Sequence, residues 1–481
     1  MIRRLYALAR RVSVRQLLAN PRAELGRILG WVGRRLQGAA TVVAHGHATL
    51  PAWLDAEMIA LASIEPELLG EKGSTAHYRH YGVPMVTRPG ELYRQIVDAV
   101  GERPCSHVMI IPWLVRGGAD RGALYHLQAW VDAMPAADVL VILTDDIESP
   151  WLDRIPAGIR VLPFGRIAGS MAMEGKVQLL TRLLLQMQPS VIHTINSRVA
   201  WEAYRKFGLA LRQRSTLFAS LFCDDQDENG VPVGYARSYL RSCFQHLTSV
   251  FCDNSVYPAR WSVELGVPRD LFTVLPFPYD RAVVIKEDAF PIEGQPRVLW
   301  AGRLDRQKRP DILVAIARAM PDVGFDVHGV SELGAHHPAI DALRRLPNVT
   351  MHGAFPRFEG IVKADHAAYL FTTSWEGLPT ILLDAAAAGI PIVAPAVGGI
   401  VDLIRRDWLV ALPDDVDAYV DRLRQLLSDP GLRSARRREQ YAGLSTGRDW
   451  ADFTRILRGI HQYLPERQHE TKNMSNQGST T

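Results

Sequence analysis

Two stretches in the second half of the chain place charges where a phosphorylated ligand would need them. The first, Gly302-Arg303-Leu304-Asp305-Arg306-Gln307-Lys308, sets Arg303 and Lys308 five residues apart, with Pro310 and Asp311 opening the helix that follows. It comes directly after the strand-like run RVLWA, so both cations fall on a strand-to-helix loop. A nucleoside diphosphate gains negative charge as its sugar departs. Fixed cations and backbone N–H groups can stabilise that charge without a metal. Taken alone, a basic loop is more often solvated surface than site.

The second stretch runs Ser374-Trp375-Glu376-Gly377-Leu378-Pro379-Thr380, then Ile381-Leu382-Leu383-Asp384. YLFTTS reads as a strand and TILLDAAAAG as a helix ended by Gly389. Pro379 suits a first helical turn. The N–H groups of Gly377, Leu378 and Thr380 would then point out of the helix start as a phosphate seat, with Gly377 leaving room for the ligand. Glu376 would face the sugar, and Asp384 would accept from ribose hydroxyls. The bland alternative is a plain helix N-terminus with a favourable acid. A third stretch, Val397-Gly398-Gly399-Ile400-Val401-Asp402, pairs glycines after a strand and is weak alone.

In order and spacing, the three stretches together resemble glycosyltransferase family four, retaining enzymes of GT-B fold, over residues 297–404. The matching positions are Arg303 and Lys308, then Ser374, Glu376, Gly377, Pro379 and Asp384, then Gly398, Gly399 and Asp402. Two positions depart from the pattern: the second acid is usually glutamate where Asp384 stands, and glycine usually follows the lysine where Arg309 stands. The resemblance implies a nucleoside diphosphate sugar as donor substrate, with no metal or other obligatory cofactor. It implies that Glu376, Lys308 and Arg303 carry the chemistry. Donor binding would fall to Arg303, Lys308, Glu376, Gly377, Leu378, Pro379, Thr380 and Asp384, with His352 and Gly353 lining the base pocket. Gly117 and Gly118, in Pro112-Trp113-Leu114-Val115-Arg116-Gly117-Gly118-Ala119-Asp120, resemble the family's glycine loop after the first strand, which faces donor and acceptor across the cleft, and would join the donor-binding set.

Family members often carry a histidine after a later strand. Here that region reads LFASLFCDDQDENG, with Asp224 and Asp225 as acceptor-side candidates and no histidine. His193, on a strand, reads as buried structure rather than catalyst. Asp225-Gln226-Asp227 also fits a divalent-cation pair of the other major glycosyltransferase fold, although so short a spacing arises easily by chance.

These loops need parallel sheets to hold them. HVMIIPWLV, VLVILTD, IRVLPFG, SVIHTIN, STLFASLF and SVFCDNS, then RVLWAGR, GFDVHGV, NVTMHGAF, YLFTTS and PIVAPAV, alternate with helical stretches. Near-continuous apolar strands of this kind are covered on both faces. The expected architecture is α/β, GT-B, with two doubly wound Rossmann-like domains facing a cleft and an N-terminal helical extension. The extension is residues 1–104, with a basic amphipathic part over 1–40 and no readable motif beyond. The acceptor-side domain is 105–283 and the nucleotide-sugar domain 296–444, joined by a polar, proline-bounded linker near 279–296. A helix over 445–463 crosses back, carrying Trp450, Phe453, Ile456, Leu457 and Ile460 at helical spacing, and 464–481 is a polar disordered tail.

The bulk properties exclude several classes. At 481 residues the chain is too long for one core, and its 47% hydrophobic and 22% charged content is that of an ordinary globular protein. Nine arginines and a lone acid, Glu24, fall within residues 1–40, leaving 46 basic against 50 acidic residues elsewhere. A near-neutral body argues against nucleic acid as partner. The arginine-rich start fits either an anionic membrane surface or a helix packed on the body. Four scattered cysteines fit a reducing cytosol, and the expected location is cytoplasmic, at the inner membrane face if residues 1–40 bind lipid. The acceptor would then be a glycan or a lipid-linked glycan. A non-catalytic nucleotide-sugar-binding scaffold, a glycan phosphorylase and a nucleotide-sugar epimerase are the rival readings.

Overall fold

The computed structural model describes residues 88–101, 103–279, 295–331 and 337–465, with Ala56, Ile59, Ala60, Ser63 and Ile64. The basic stretch 1–40, nearly all of the linker and the tail from 466 lie outside the described residues. Arg88–Val100, inside the stretch without a readable motif, is a helix whose Leu92, Ile96 and Val100 recur every fourth residue and are buried.

The first sheet is built from β1 (His107–Ile111), β2 (Val139–Leu143), β3 (Arg160–Leu162), β4 (Val191–Ile195), β5 (Thr216–Ser220), β8 (Ser249–Cys252) and β9 (Phe272–Val274). Its order is β3-β2-β1-β4-β5-β8-β9, and every pairing is parallel. A small antiparallel hairpin, β6 (Asp225–Gln226) with β7 (Pro232–Val233), stands apart from it. The second sheet is built from β10 (Arg297–Ala301), β11 (Gly324–His328), β12 (Val349–Gly353), β13 (His366–Leu370) and β14 (Ile392–Val393), in the order β12-β11-β10-β13-β14, also all parallel. Every residue of β1, β2, β4 and β13 is buried, as strands with helices on both faces must be.

In both sheets the strand order reverses at an interior strand pair, β1/β4 in the first and β10/β13 in the second. Such a switch point opens a crevice at the carboxyl ends of the strands, where ligands of doubly wound sheets bind. The loops after β1, β10 and β13 are the ones carrying Gly117, Lys308 and Glu376. Composition alone does not mark β9 or the β6–β7 hairpin, which are only three and two residues per strand. The strand expected at YLFTTS lies earlier, at His366–Leu370, so Thr372, Thr373 and Ser374 belong to the loop. They serve there as hydrogen-bonding residues, which a strand end permits and a ladder position would not.

Among the described residues six helices line the first domain along the chain: α1 (Gly118–Val131), α2 (Phe164–Ala168), α3 (Met173–Met187), α4 (Arg198–Leu211), α5 (Tyr235–Cys243) and α6 (Val256–Leu265). The second carries α7 (Pro310–Ala319), α8 (Pro338–Arg344), α9 (Thr380–Ala387), α10 (Val416–Ser428) and α11 (Pro430–Ser445). The last helix among the described residues, α12 (Trp450–Arg458), is shorter than the expected 445–463 span: Asp449 caps its start at Asp452 N (2.7 Å), and turns follow Arg458.

α12 lies against α1. Trp450 Nε1 donates to Asp132 Oδ2 at 3.1 Å, and Phe453 meets the Tyr125 ring at 6.0 Å. Beyond it Tyr463 is sunk into the first domain's core, edge-on to Phe218 and Phe251 at 4.8 Å. Its hydroxyl bridges His193 Nδ1 and His126 Nδ1, each at 2.7 Å, while His193 Nε2 meets Ser220 Oγ at 2.9 Å. His193 is therefore a core residue with both ring nitrogens engaged. Burial holds His126 down at about 3 and His193 well below its usual value, with His126 adding to the effect on His193.

A histidine whose folded value is depressed leaves stability intact above the unfolded value near 6.5 and removes it as pH falls, because the unfolded chain takes the proton first. The stability of a His126→Phe variant should therefore fall less steeply from pH 6 to pH 4, by up to about 1.4 kcal/mol per pH unit. Denaturant titrations of both proteins across that range check it, and identical slopes would contradict it.

Candidate active site

The loops after β10 and β13 are stapled through Gln307. Its carbonyl accepts from Ser374 N at 2.9 Å and Thr373 Oγ1 at 3.1 Å, and its Nε2 donates to Trp375 O at 2.8 Å. Thr372 Oγ1 donates to Lys308 O at 2.6 Å and accepts from Trp300 Nε1 at 3.0 Å. This frame brings Lys308 and Glu376 together as an ion pair, with side chains only 12% and 9% exposed. Glu376 Oε1 also accepts from Thr373 Oγ1 at 3.1 Å, and Lys308 Nζ sits 4.9 Å from the Phe371 ring centre. Out of water, such a pair keeps its charges only while each has the other or a ligand to replace it. Arg303 lies at the more open rim, 43% exposed, with Nε 3.2 Å from Asp305 Oδ2 and an amino group 2.5 Å from Gln307 Oε1.

Arg309 stands at a backbone position that suits glycine. It caps α7 in the left-handed region, at φ 52° and ψ 56°. Ion pairs to Asp311 at 2.8 Å and Asp414 at 2.6 Å hold an arginine in a conformation that suits glycine.

The first domain closes on this frame. In its glycine loop Val115 N donates to Asp120 Oδ1 at 3.1 Å, and Leu114 N donates to Ser149 Oγ at 3.0 Å. A Cβ on Gly118 would stand 3.6 Å from Thr380 Cγ2, so the starts of α1 and α9 face each other. Arg121, in the first turn of α1, makes a two-pronged bond to Asp384 at 2.9 and 3.0 Å. Arg116 donates to Phe355 O and lies 4.3 Å over the Phe355 ring, just beyond His352 and Gly353.

Several sequence expectations change here. Leu378 N is not an open phosphate donor, because it is bonded to Asp253 Oδ2 at 3.2 Å. Gly377 makes room for the first domain: a Cβ there would fall 2.9 Å from Phe222 O and 3.1 Å from Asp253 Oδ1. Gly398 and Gly399 are likewise packing positions, at the start of a short 3-10 helix, Gly398–Asp402. A Cβ on Gly398 (φ 50°) would meet Glu376 O at 1.8 Å. Asp384 faces Arg121 and would have to exchange that partner for a ribose.

His352 is tied inward. Its Nε2 lies 2.5 Å from Asp326 Oδ1, and its ring stacks on His328 at 4.4 Å. Burial alone would raise the Asp326 carboxyl, but hydrogen bonds from His366, Arg297 and His352 outweigh it and hold the group far below the usual carboxylate range. Burial, with His352 beside it, lowers His328 to about 4. Gly353 takes φ 76° and its carbonyl accepts from Gly329 N at 2.7 Å.

Asp224 does not open to the cleft. It is buried, paired with Arg237 at 2.6 Å, and accepts from Trp261 Nε1 at 2.8 Å. Asp225 and Asp227 accept from N–H groups of their own hairpin: Gln226 at 2.8 Å, and Asn229 and Val231 at 2.9 Å each. Among the described residues no group of histidine, cysteine or acidic side chains is arranged to hold a metal ion.

Residues 295–429, which carry Arg303, Lys308, Glu376 and Asp384, match the family model described as Glycosyl transferases group 1. About three quarters of the chain superposes on solved structures. One is Anabaena HepE in complex with UDP and glucose, with a TM-score of 0.61 at 15% identity over 74% of this chain and 98% of that one. Another is a sucrose-phosphate synthase from Thermosynechococcus elongatus, with a TM-score of 0.57 at 16% identity over 75% and 99%. The fold is GT-B. A D-inositol 3-phosphate glycosyltransferase of Mycolicibacterium paratuberculosis is 30% identical over 228 residues, 44% of this chain. The chain spans about half the length of the curated relatives it matches.

The GT-B cleft also contains Arg121 and Asp253, which sequence reasoning missed. Asp253 follows β8 and is fully buried; burial pushes its carboxyl up to about 7, against the opposing bonds from Asn254 and Leu378 N. Its place just beyond a strand's carboxyl end was the available signal.

Because the backbone at Arg309 is left-handed, Arg309→Gly should be more stable than Arg309→Ala by about 1–2 kcal/mol, since both lose the ion pairs and only glycine relieves the dihedral. Chemical denaturation of the two variants tests this, and equal midpoints would refute it.

Proposed function

We propose that this GT-B protein is a glycosyltransferase that moves a sugar from a nucleoside diphosphate sugar to a hydroxyl of a glycan or lipid-linked glycan. The observation that carries the reading is the nearly buried Lys308–Glu376 pair at the β10/β13 switch point, inside the segment matching the group 1 glycosyl transferase model. A donor entering there offers each partner a replacement: diphosphate oxygens for Lys308 and sugar hydroxyls for Glu376. Arg303 at the rim adds a second cation for the charge that develops on the leaving diphosphate. Asp384, released from Arg121, takes the ribose. The solved relative crystallised with UDP and glucose favours UDP as the nucleotide. Retention of configuration and independence from metal follow from the family resemblance.

Thermal unfolding against UDP, GDP, ADP, CDP and dTDP, with and without magnesium, tests the donor site. A ligand at a hundred times its Kd adds about 2.7 kcal/mol of stability. The expected result is a metal-independent shift with UDP that is lost in Lys308→Ala; no shift with any nucleotide would move weight to a non-catalytic scaffold. In turnover assays, Lys308→Ala and Glu376→Gln should each cost about 2–4 kcal/mol of transition-state stabilisation, a loss of roughly 30- to 1,000-fold. Near-normal turnover in either folded variant would overturn the assignment.

The nine arginines of residues 1–40 support an acceptor at an anionic membrane surface, each basic residue contributing about 1 kcal/mol there. No helix among the described residues is long and apolar enough to cross a membrane. Deleting 1–40 should release the protein from vesicles containing anionic lipid in a flotation assay, and unchanged flotation would end that part of the reading.

A further inference from the structure

Immediately after β8, three consecutive residues of the first domain each hold a different part of the second domain's glycine loops. Asp253 Oδ2 accepts from Leu378 N at 3.2 Å. Asn254 fills the space left by Gly399, where a Cβ would come within 2.4 Å of the Asn254 Cβ. Ser255 donates to Asp402 twice, from its N at 2.6 Å and its Oγ at 2.7 Å.

The three residues are themselves rigidly set. Asn254 Nδ2 donates to Phe222 O at 2.8 Å and to Asp253 Oδ1 at 2.7 Å. Its Oδ1 accepts from Val256 N at 3.2 Å and Tyr257 N at 3.1 Å, which ties it to the start of α6. Asp253 and Asn254 are 4% and 0% exposed.

What they grip is the backbone around Glu376. The Gly377–Leu378 segment is pinned from one side by Asp253 and from the other by Gly399 N, which donates to Gly377 O at 2.9 Å. Burying a carboxylate is expensive unless it is well bonded. This one has an amide and a backbone N–H for partners, with Arg448 exerting a further attraction and Glu376 a repulsion.

We propose that Asp253 is a positioning residue for sugar transfer: from the opposite domain it holds Leu378 N–H, and so fixes the Glu376 loop against the donor sugar. The inference rests on the reading of Glu376 as the sugar-facing acid. Arg303 and Lys308 belong to a different loop, so nucleotide affinity should survive when Asp253 is lost, while the alignment of Glu376 should not.

The test uses the full chain with three measurements on wild type, Asp253→Ala and Asp253→Asn. In Asp253→Ala, hydrogen exchange across 376–380 should quicken on the order of ten-fold as one bond is lost. Its UDP Kd should stay within about two-fold, since the cations are untouched, and its kcat for UDP-glucose turnover should fall about 10- to 100-fold at constant KM. Asp253→Asn keeps an oxygen acceptor and should restore most of the loop protection and of kcat. Unchanged exchange in Asp253→Ala would overturn the proposal, as would an Asn variant no better than Ala, or loss of UDP binding in step with kcat. Wild-type protein that turns over no nucleotide sugar would remove the Glu376 reading instead, and the exchange measurement would still decide whether the Asp253 contact holds the loop.

Discussion

A lysine and a glutamate, both almost entirely out of water, hold each other across the point where the strand order of the second sheet reverses. Neither could be there alone, because an unpaired charge in that setting is expensive. The pair exists only because the loops after β10 and β13 are locked to one another through Gln307, Thr372 and Thr373. Everything else in the cleft is arranged around that frame. It keeps two opposite charges preorganised at a carboxyl-end crevice, where a polar ligand can substitute for each charge's partner.

The two domains meet over this frame through specific polar contacts. Arg121 reaches Asp384, Arg116 reaches the carbonyl of Phe355, and the Asp253-Asn254-Ser255 run grips both glycine loops. Such hydrogen-bonded contacts can be exchanged for ligand contacts one at a time, whereas a large apolar interface would separate only as a whole. Tyr463 supplies the counterpart. Its ring sits in the first domain's core between His126 and His193, so the segment after α12 remains anchored there by burial as well as by hydrogen bonds.

The glycines show how one residue type can serve different ends. Paired glycines after a strand suggest space for a ligand, yet at Gly377, Gly398 and Gly399 the space is filled by Phe222, Asp253, Asn254 and the carbonyl of Glu376. Arg309 shows the converse. A position with left-handed backbone, where glycine would be expected, is held by arginine because two carboxylates pin its side chain.

The sequence by itself determined the class of fold and which loops carry the charges. Apolar runs of strand length alternating with helical stretches leave few alternatives to parallel, doubly wound sheets, and the spacing of Arg303, Lys308, Glu376 and Asp384 places charges after particular strands. Those are local properties, set by periodicity and chain order. Tertiary structure alone decided the partners. That Leu378 N is bonded rather than open, that Asp384 faces Arg121, that Asp224 is buried against Arg237 and Trp261, and that Asp253 stands at the cleft at all are contacts between residues 13 to 263 positions apart. A hydrogen bond depends on distance and direction in space, and those are fixed only when the sheets have twisted, packed and met across the cleft.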